Sequence, residues 1–212
     1  MNIGLKLVNS AIRKPRTVTI TMVIITLLLA SLISLVKVDT DPENMLSENE
    51  TVRIFHHQVK HDFDLNDVVV LGIVNEKDEA GVFNPQTLAK VAELTTFIRT
   101  LTWPDPQNPK QQIGVIKRNL IAPGTVDSIE QAGPGAVKFS WLMQEAPITR
   151  EKAAEIRRLA QANPLLNGTL VSEDGRALAI YIPISSKDLA YRIKKELEKK
   201  IAEFKGDEAY HI

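Results

Sequence analysis

The chain of 212 residues has no cysteine, which excludes disulfides and thiolate metal sites. It also lacks the common signatures of catalysis. There is no Gly-x-Ser-x-Gly, no Ser-x-x-Lys at a helix start and no phosphate-binding glycine loop. Gly133-Pro134-Gly135 reads as a turn. No enzyme is therefore expected, and no catalytic, cofactor-binding or metal-ligating residue is assigned. An excess of either charge is missing as well: 26 basic residues balance 26 acidic ones, so nucleic acid is not an expected partner.

Two local absences say more. No acidic residue precedes Asp39, and no charged residue of either sign lies between Thr17 and Val36. The four charges before Val36 are Lys6, Arg13, Lys14 and Arg16. Removing them leaves 22 basic against 26 acidic residues in the remainder, a net of −4.

The uncharged run, "TVTITMVIITLLLASLISLV", is twenty residues long. As a helix it spans roughly 30 Å, the hydrocarbon thickness of a bilayer. Its polar members are Thr and Ser, which can return their hydroxyls to the backbone. A cleaved signal peptide fits less well, because the run is longer than an h-region and "SLISLVKVD" has no small-x-small cleavage site. A buried core helix is the other alternative. Four basic residues precede the run and only Lys37 follows closely, so the positive-inside rule puts the N-terminus in the cytoplasm.

The organisation expected is a basic cytoplasmic or interfacial segment (1–16), a transmembrane helix (17–36) and an extracytoplasmic domain (37–212). In a bacterium the location is the inner membrane, with the domain in the periplasm. Within "GLKLVNSAIRKPR", Ile3, Leu7, Val8, Ala11 and Ile12 share a helical face that can lie on the membrane surface.

Beyond the run, "SENE" (Ser47 to Glu50) has the spacing of a capping box for a helix to about Phe63, with Val52, Phe55, Val59 and Phe63 on one side. "DVVVLGIVN" (Asp67 to Asn75) reads as a central strand. Asn84 and Pro85 open a helix with a buried stripe at Leu88, Val91, Leu94, Ile98 and Leu101. "IGVIKRNL" from Ile113 reads as a second strand. "APGTVDSIEQAGPGAV" carries turn signals and suggests a short helix, and Thr149 can cap the next helix. "GTLVSEDGRALAIYIPI" has the pattern of a β-hairpin turning at Asp174-Gly175. Leu189, Ile193, Leu197 and Ile201 mark a last helix, with Gly206 suited to its C-cap and "KKELEKK" as its solvated face. "EAYHI" begins a final strand that has no closing turn. Strand, helix, strand, insertion, strand, helix, strand is the order of an α+β, ferredoxin-like (split βαβ) domain with an insertion.

"HHQVKHDFD" offers one candidate metal constellation. His57 and His61 share a helix face, with Asp62 and Asp64 nearby. No third ligand is evident, and a solvated polar face accounts for the same residues.

Taken together, a basic stretch, one apolar run and then "VDTDPENML" resemble the start of resistance-nodulation-division (RND) exporters. The likeness is greater to their MMPL-like, hydrophobe- and amphiphile-exporting branch. "LNDVVVLGIVNE", "GVFNPQTL", "APGTVDSIEQAGPG" and "NGTLVSEDGRALAIYIPI" extend the likeness along nearly the whole chain. The resemblance implies the N-terminal part of a proton-driven exporter, truncated at its C-terminus, whose 37–212 region is porter-like. Its implied partners are the lipid bilayer, further transmembrane helices, a second porter domain, an apolar or lipid substrate and copies of itself in a homo-oligomer. The family's proton-relaying residues belong to later helices, so no residue here inherits that role. A single-pass anchored protein binding a ligand or partner is the alternative of a different class. A metal-binding periplasmic domain, resting on His57 and His61, is a third.

Overall fold

The computed structural model describes residues 12–33 and 42–212. The chain divides into two compact units, Met1–Val59 and Lys60–Ile212.

In the first unit, α1 spans Pro15–Leu32, with Pro15 at its first position, where a missing N–H costs nothing. None of its residues is buried, and its mean hydropathy is 1.7. By length and composition it can cross a membrane. Three of its polar side chains return their hydroxyls to the backbone. Thr19 Oγ1 donates to the Pro15 carbonyl at 3.0 Å, Thr21 Oγ1 to Thr17 at 2.9 Å and Ser31 Oγ to Leu28 at 2.7 Å. The expected helix 17–36 is thus helical as far as it is described, while Ser34 to Val36 and the face from Ile3 to Ala11 lie outside the described residues.

Helix α2 covers Thr51–Asp62 and bridges the boundary between the units. It starts later than a Ser47 cap would place it. The Ser47 carbonyl instead accepts from the Glu50 N–H at 3.0 Å, closing a turn, and Glu50 accepts the first helical bond from Ile54. The helix buries nothing: Val52, Phe55 and Phe63 of its apolar stripe are 66%, 65% and 72% exposed. It closes on Asp64, whose φ of 49° is the left-handed conformation common after a helix end.

The second unit is built on a three-stranded sheet. Strand β1 (Asp67–Val74) is central as expected, with β6 (Ala177–Ile184) and β7 (Ala209–His211) antiparallel on its two sides. One face is core: Leu71 opposes Ile180, Ile73 opposes Leu178, and all four are buried. The other face is open at Val68 and Val70, 48% and 44% exposed.

Helix α3 (Pro85–Ile98) is capped as its sequence dictates, with Asn84 Oδ1 accepting from the Thr87 N–H at 2.9 Å. Its stripe at Leu88, Val91, Leu94 and Ile98 is fully buried. Ile193 and Leu197 of α5 (Ala190–Ile201) join the same cluster. A fully buried Leu or Ile stabilises by about 1.5–3 kcal/mol, so this shared cluster holds the sheet and helices together.

Several boundaries differ from expectation. The second strand is broken. Gln112–Gly114 (β3) pairs with Thr102–Pro104 (β2), and only isolated bonds join the following residues to β6, such as the Ile116 N–H to the Pro183 carbonyl at 2.9 Å. Gly114 is the reason for the break: its φ is 138°, and a Cβ there would strike the Leu101 carbonyl. The turn at Asp174-Gly175 forms, but its first arm is not a strand and reaches β6 through a single bridge, Val171 to Leu178. The last helix ends at Ile201, so Gly206 sits in the loop to β7 rather than at the cap.

The region expected to hold a short helix is a β-hairpin instead, β4 (Asp127–Gly133) and β5 (Ala136–Trp141), turning at Gly133-Pro134-Gly135. Helix α4 (Arg150–Ala162) follows, capped by Thr149 as expected.

Candidate functional site

The β4–β5 hairpin exposes an apolar face. Ile129 opposes Phe139, and Val137 and Trp141 lie on the same side by the two-residue strand period. All four are more than half exposed, Phe139 the most at 69%. On the other side Ser128 is buried and the half-buried Glu130 accepts from Arg158 of α4 at 3.0 Å, while Lys138 is exposed. Four large apolar side chains exposed on one face are unfavourable unless they meet something else.

Trp141 also borders a basic cleft of about 370 Å³. Arg99, just past α3, and Lys117 and Arg118, on a short 3-10 turn after β3, supply its charge. No carboxylate lines it. Arg118 is engaged by Asp64 at 2.6 Å, whereas Arg99 and Lys117 have no acidic partner among the described residues. The walls are fixed by backbone. Thr125 Oγ1 donates to the Leu120 carbonyl at 2.6 Å and accepts from the Ala122 N–H at 2.9 Å. The Leu142 N–H binds the Val126 carbonyl and the Met143 N–H binds that of Pro123, with both side chains buried directly after Trp141. The cleft therefore joins three exposed cations to an apolar aromatic wall held by backbone bonds.

A second polar cluster is structural. Lys90 and Thr87 of α3 both reach Glu208, at 2.6 and 2.8 Å, and Asn75 and Asn84 each donate to Thr87. Burial pushes the Glu208 carboxyl up. The Lys90 and Thr87 hydrogen bonds, with its own backbone and the Lys90 charge, outweigh that and hold it below the usual carboxylate value. Beside it, burial and then the Glu208 charge push the Tyr210 hydroxyl up to about 12.

His57 and His61 are exposed on α2, and the structure does not gather the rest of their constellation. His61 Nδ1 lies 3.3 Å from its neighbour Asp62, and Asp64 is taken by Arg118. Among the described residues, no three His, Asp or Glu side chains meet as a metal site.

The basic cleft was not legible from sequence, because Arg99 and Lys117 are far apart in the chain. The hairpin was legible in principle: "VKFSW" alternates apolar and polar residues as a strand does. No protein-family model matches the chain, and no curated protein matches it.

Proposed function

We propose that the chain is the N-terminal part of an RND-type exporter of the MMPL-like branch, anchored by α1 with its N-terminus in the cytoplasm. The domain from Lys37 onward stands in the periplasm and guides an apolar or amphiphilic substrate away from the membrane. The observation that carries this reading is α1, uncharged from Thr17 to Leu32 and without a buried residue, placed ahead of a mixed α+β domain.

The strand arrangement supports a ferredoxin-like porter fold. Strands β6 and β7, linked by α5, flank an antiparallel β1, which is a split βαβ unit. The segment around Val115 and Ile121, bridged to the outer edge of β6, takes the place of the remaining strand. The open sheet face at Val68 and Val70 and the exposed stripe at Val52 and Phe55 suit a partner porter domain or further helices. Helix α1 holds no intramembrane ionisable residue between Thr17 and Leu32, so proton coupling is assigned to helices beyond this chain.

The second reading, a single-pass anchored ligand-binding protein, is favoured by the basic cleft beside Trp141. The natural gene separates the two. An open frame encoding further apolar spans of about twenty residues within a few tens of codons of Ile212 supports the exporter. A stop codon directly after Ile212 in an intact gene overturns it in favour of the single-pass protein.

A further inference from the structure

We propose that the basic cleft and the exposed hairpin face form one binding site for an anionic amphiphile, a molecule with a phosphate or carboxylate head and an apolar tail. The head lies between Arg99, Lys117 and Arg118. The tail runs over Trp141 onto Phe139, Ile129 and Val137. The inference does not depend on the exporter reading, since a single-pass binding protein would use the same surface.

Three observations converge on it. The hairpin exposes Ile129, Val137, Phe139 and Trp141 on one face, so that face has a use outside the core. That face ends at Trp141 and at the exposed Asp127 paired with it, and Trp141 is itself a wall of the cleft, so the apolar face adjoins the basic surface there. Among the described residues the cleft has three cations and no lining carboxylate, and of the three Arg118 alone has an acidic partner, Asp64. A purely apolar ligand would leave Arg99 and Lys117 with nothing to do. A free inorganic anion would leave the hairpin face bare. An anionic amphiphile satisfies both. Charge complementarity selects the sign of the head, because guanidinium and ammonium groups bind phosphate and carboxylate oxygens through charge-assisted hydrogen bonds. A cleft of about 370 Å³ lies in the size range of small-molecule sites.

The test uses the full chain held in nanodiscs of phosphatidylcholine. Trp103→Phe leaves Trp141 as the single tryptophan reporter. Titration with dihexanoyl phosphatidate should give a saturable blue shift of Trp141 emission. Arg99→Gln with Lys117→Gln, both exposed positions, should weaken binding at least tenfold while circular dichroism stays unchanged. Dihexanoyl phosphatidylcholine and inorganic phosphate should each bind at least tenfold more weakly than the phosphatidate. Calorimetric titration of the chain with both tryptophans gives the same comparison if Trp103→Phe disturbs folding.

The proposal is overturned by no saturable response, by an unchanged affinity in the double variant, or by equal affinity for phosphatidylcholine or for phosphate alone. A shift seen only with long-chain phosphatidate built into the nanodisc would make the face a membrane-docking surface and also overturn it. So would a shift that follows protein concentration without ligand, which would mark a contact between copies of the chain.

Discussion

Lys90 Nζ lies 2.6 Å from Glu208 Oε2, and this pair ties helix α3 to the residue just before strand β7. The side chains are 16% and 4% exposed, and Thr87 fills the other carboxylate oxygen. Strand β7 pairs with β1 through only three residues, so this polar contact holds a strand that its own ladder holds weakly. Glu208→Gln should destabilise the second unit by about 1–3 kcal/mol, because it leaves the Lys90 charge with little compensation. The carboxyl is held below its unfolded value of 4.5, so its stabilisation is complete above that value and is lost as pH falls through the folded value. Urea unfolding of the chain in nanodiscs between pH 7 and pH 3 checks both. The variant should lose less stability on acidification than the parent.

Tyr210 gives the opposite pH dependence. Its hydroxyl is buried and has no hydrogen-bond partner among the described residues, and its pKa is raised from 10.0 to about 12. Folding therefore opposes ionisation. Stability is complete below pH 10 and falls as pH rises through 10 towards 12. Tyr210→Phe should be neutral or up to about 1 kcal/mol stabilising at pH 7, since it removes an unsatisfied polar atom. It should also flatten the alkaline loss in the same unfolding experiment.

Gly81 is required by close approach. Its φ is 62°, and a Cβ would run into the Gly175 carbonyl, which already accepts from the Val82 N–H at 3.0 Å. Gly81→Ala should cost at least about 2 kcal/mol, combining left-handed strain with displacement of the 172–177 turn. Gly135, with nothing within 4 Å of its Cβ position, should lose only the strain part. Comparing the two alanine variants by urea midpoint separates crowding from conformation.

His57 and His61 should be dispensable for folding. Both are exposed, so replacing them together by Gln should change stability by no more than about 0.5 kcal/mol. Stoichiometric zinc in the purified chain, or a loss of several kcal/mol, would contradict this.

Where sequence signals are local and redundant, the fold was legible. Asn84-Pro85 and the stripe from Leu88 to Ile98 agree on one helix, and Leu189, Ile193 and Leu197 agree on another, because burial enforces the period. Ser47 failed as a cap because its carbonyl closes a turn with the Glu50 N–H and the helix begins only at Thr51. The second strand failed at Gly114, where a close backbone approach breaks the ladder. The hairpin escaped because its apolar side faces solvent, so reading for a core misplaces it. The cleft was invisible because tertiary folding alone brings Arg99, Lys117 and Trp141 together.

The central claim is that α1 spans the membrane with the domain outside. The absence of cysteine makes a direct test simple, because any introduced cysteine is unique. Ile12→Cys and Glu76→Cys chains, expressed in a bacterial host, are labelled in intact spheroplasts with a membrane-impermeant maleimide. The account predicts labelling at Glu76→Cys at once and at Ile12→Cys only after lysis. Labelling of Ile12→Cys in intact spheroplasts, protection of Glu76→Cys, or a mature chain beginning near Lys37 would contradict it.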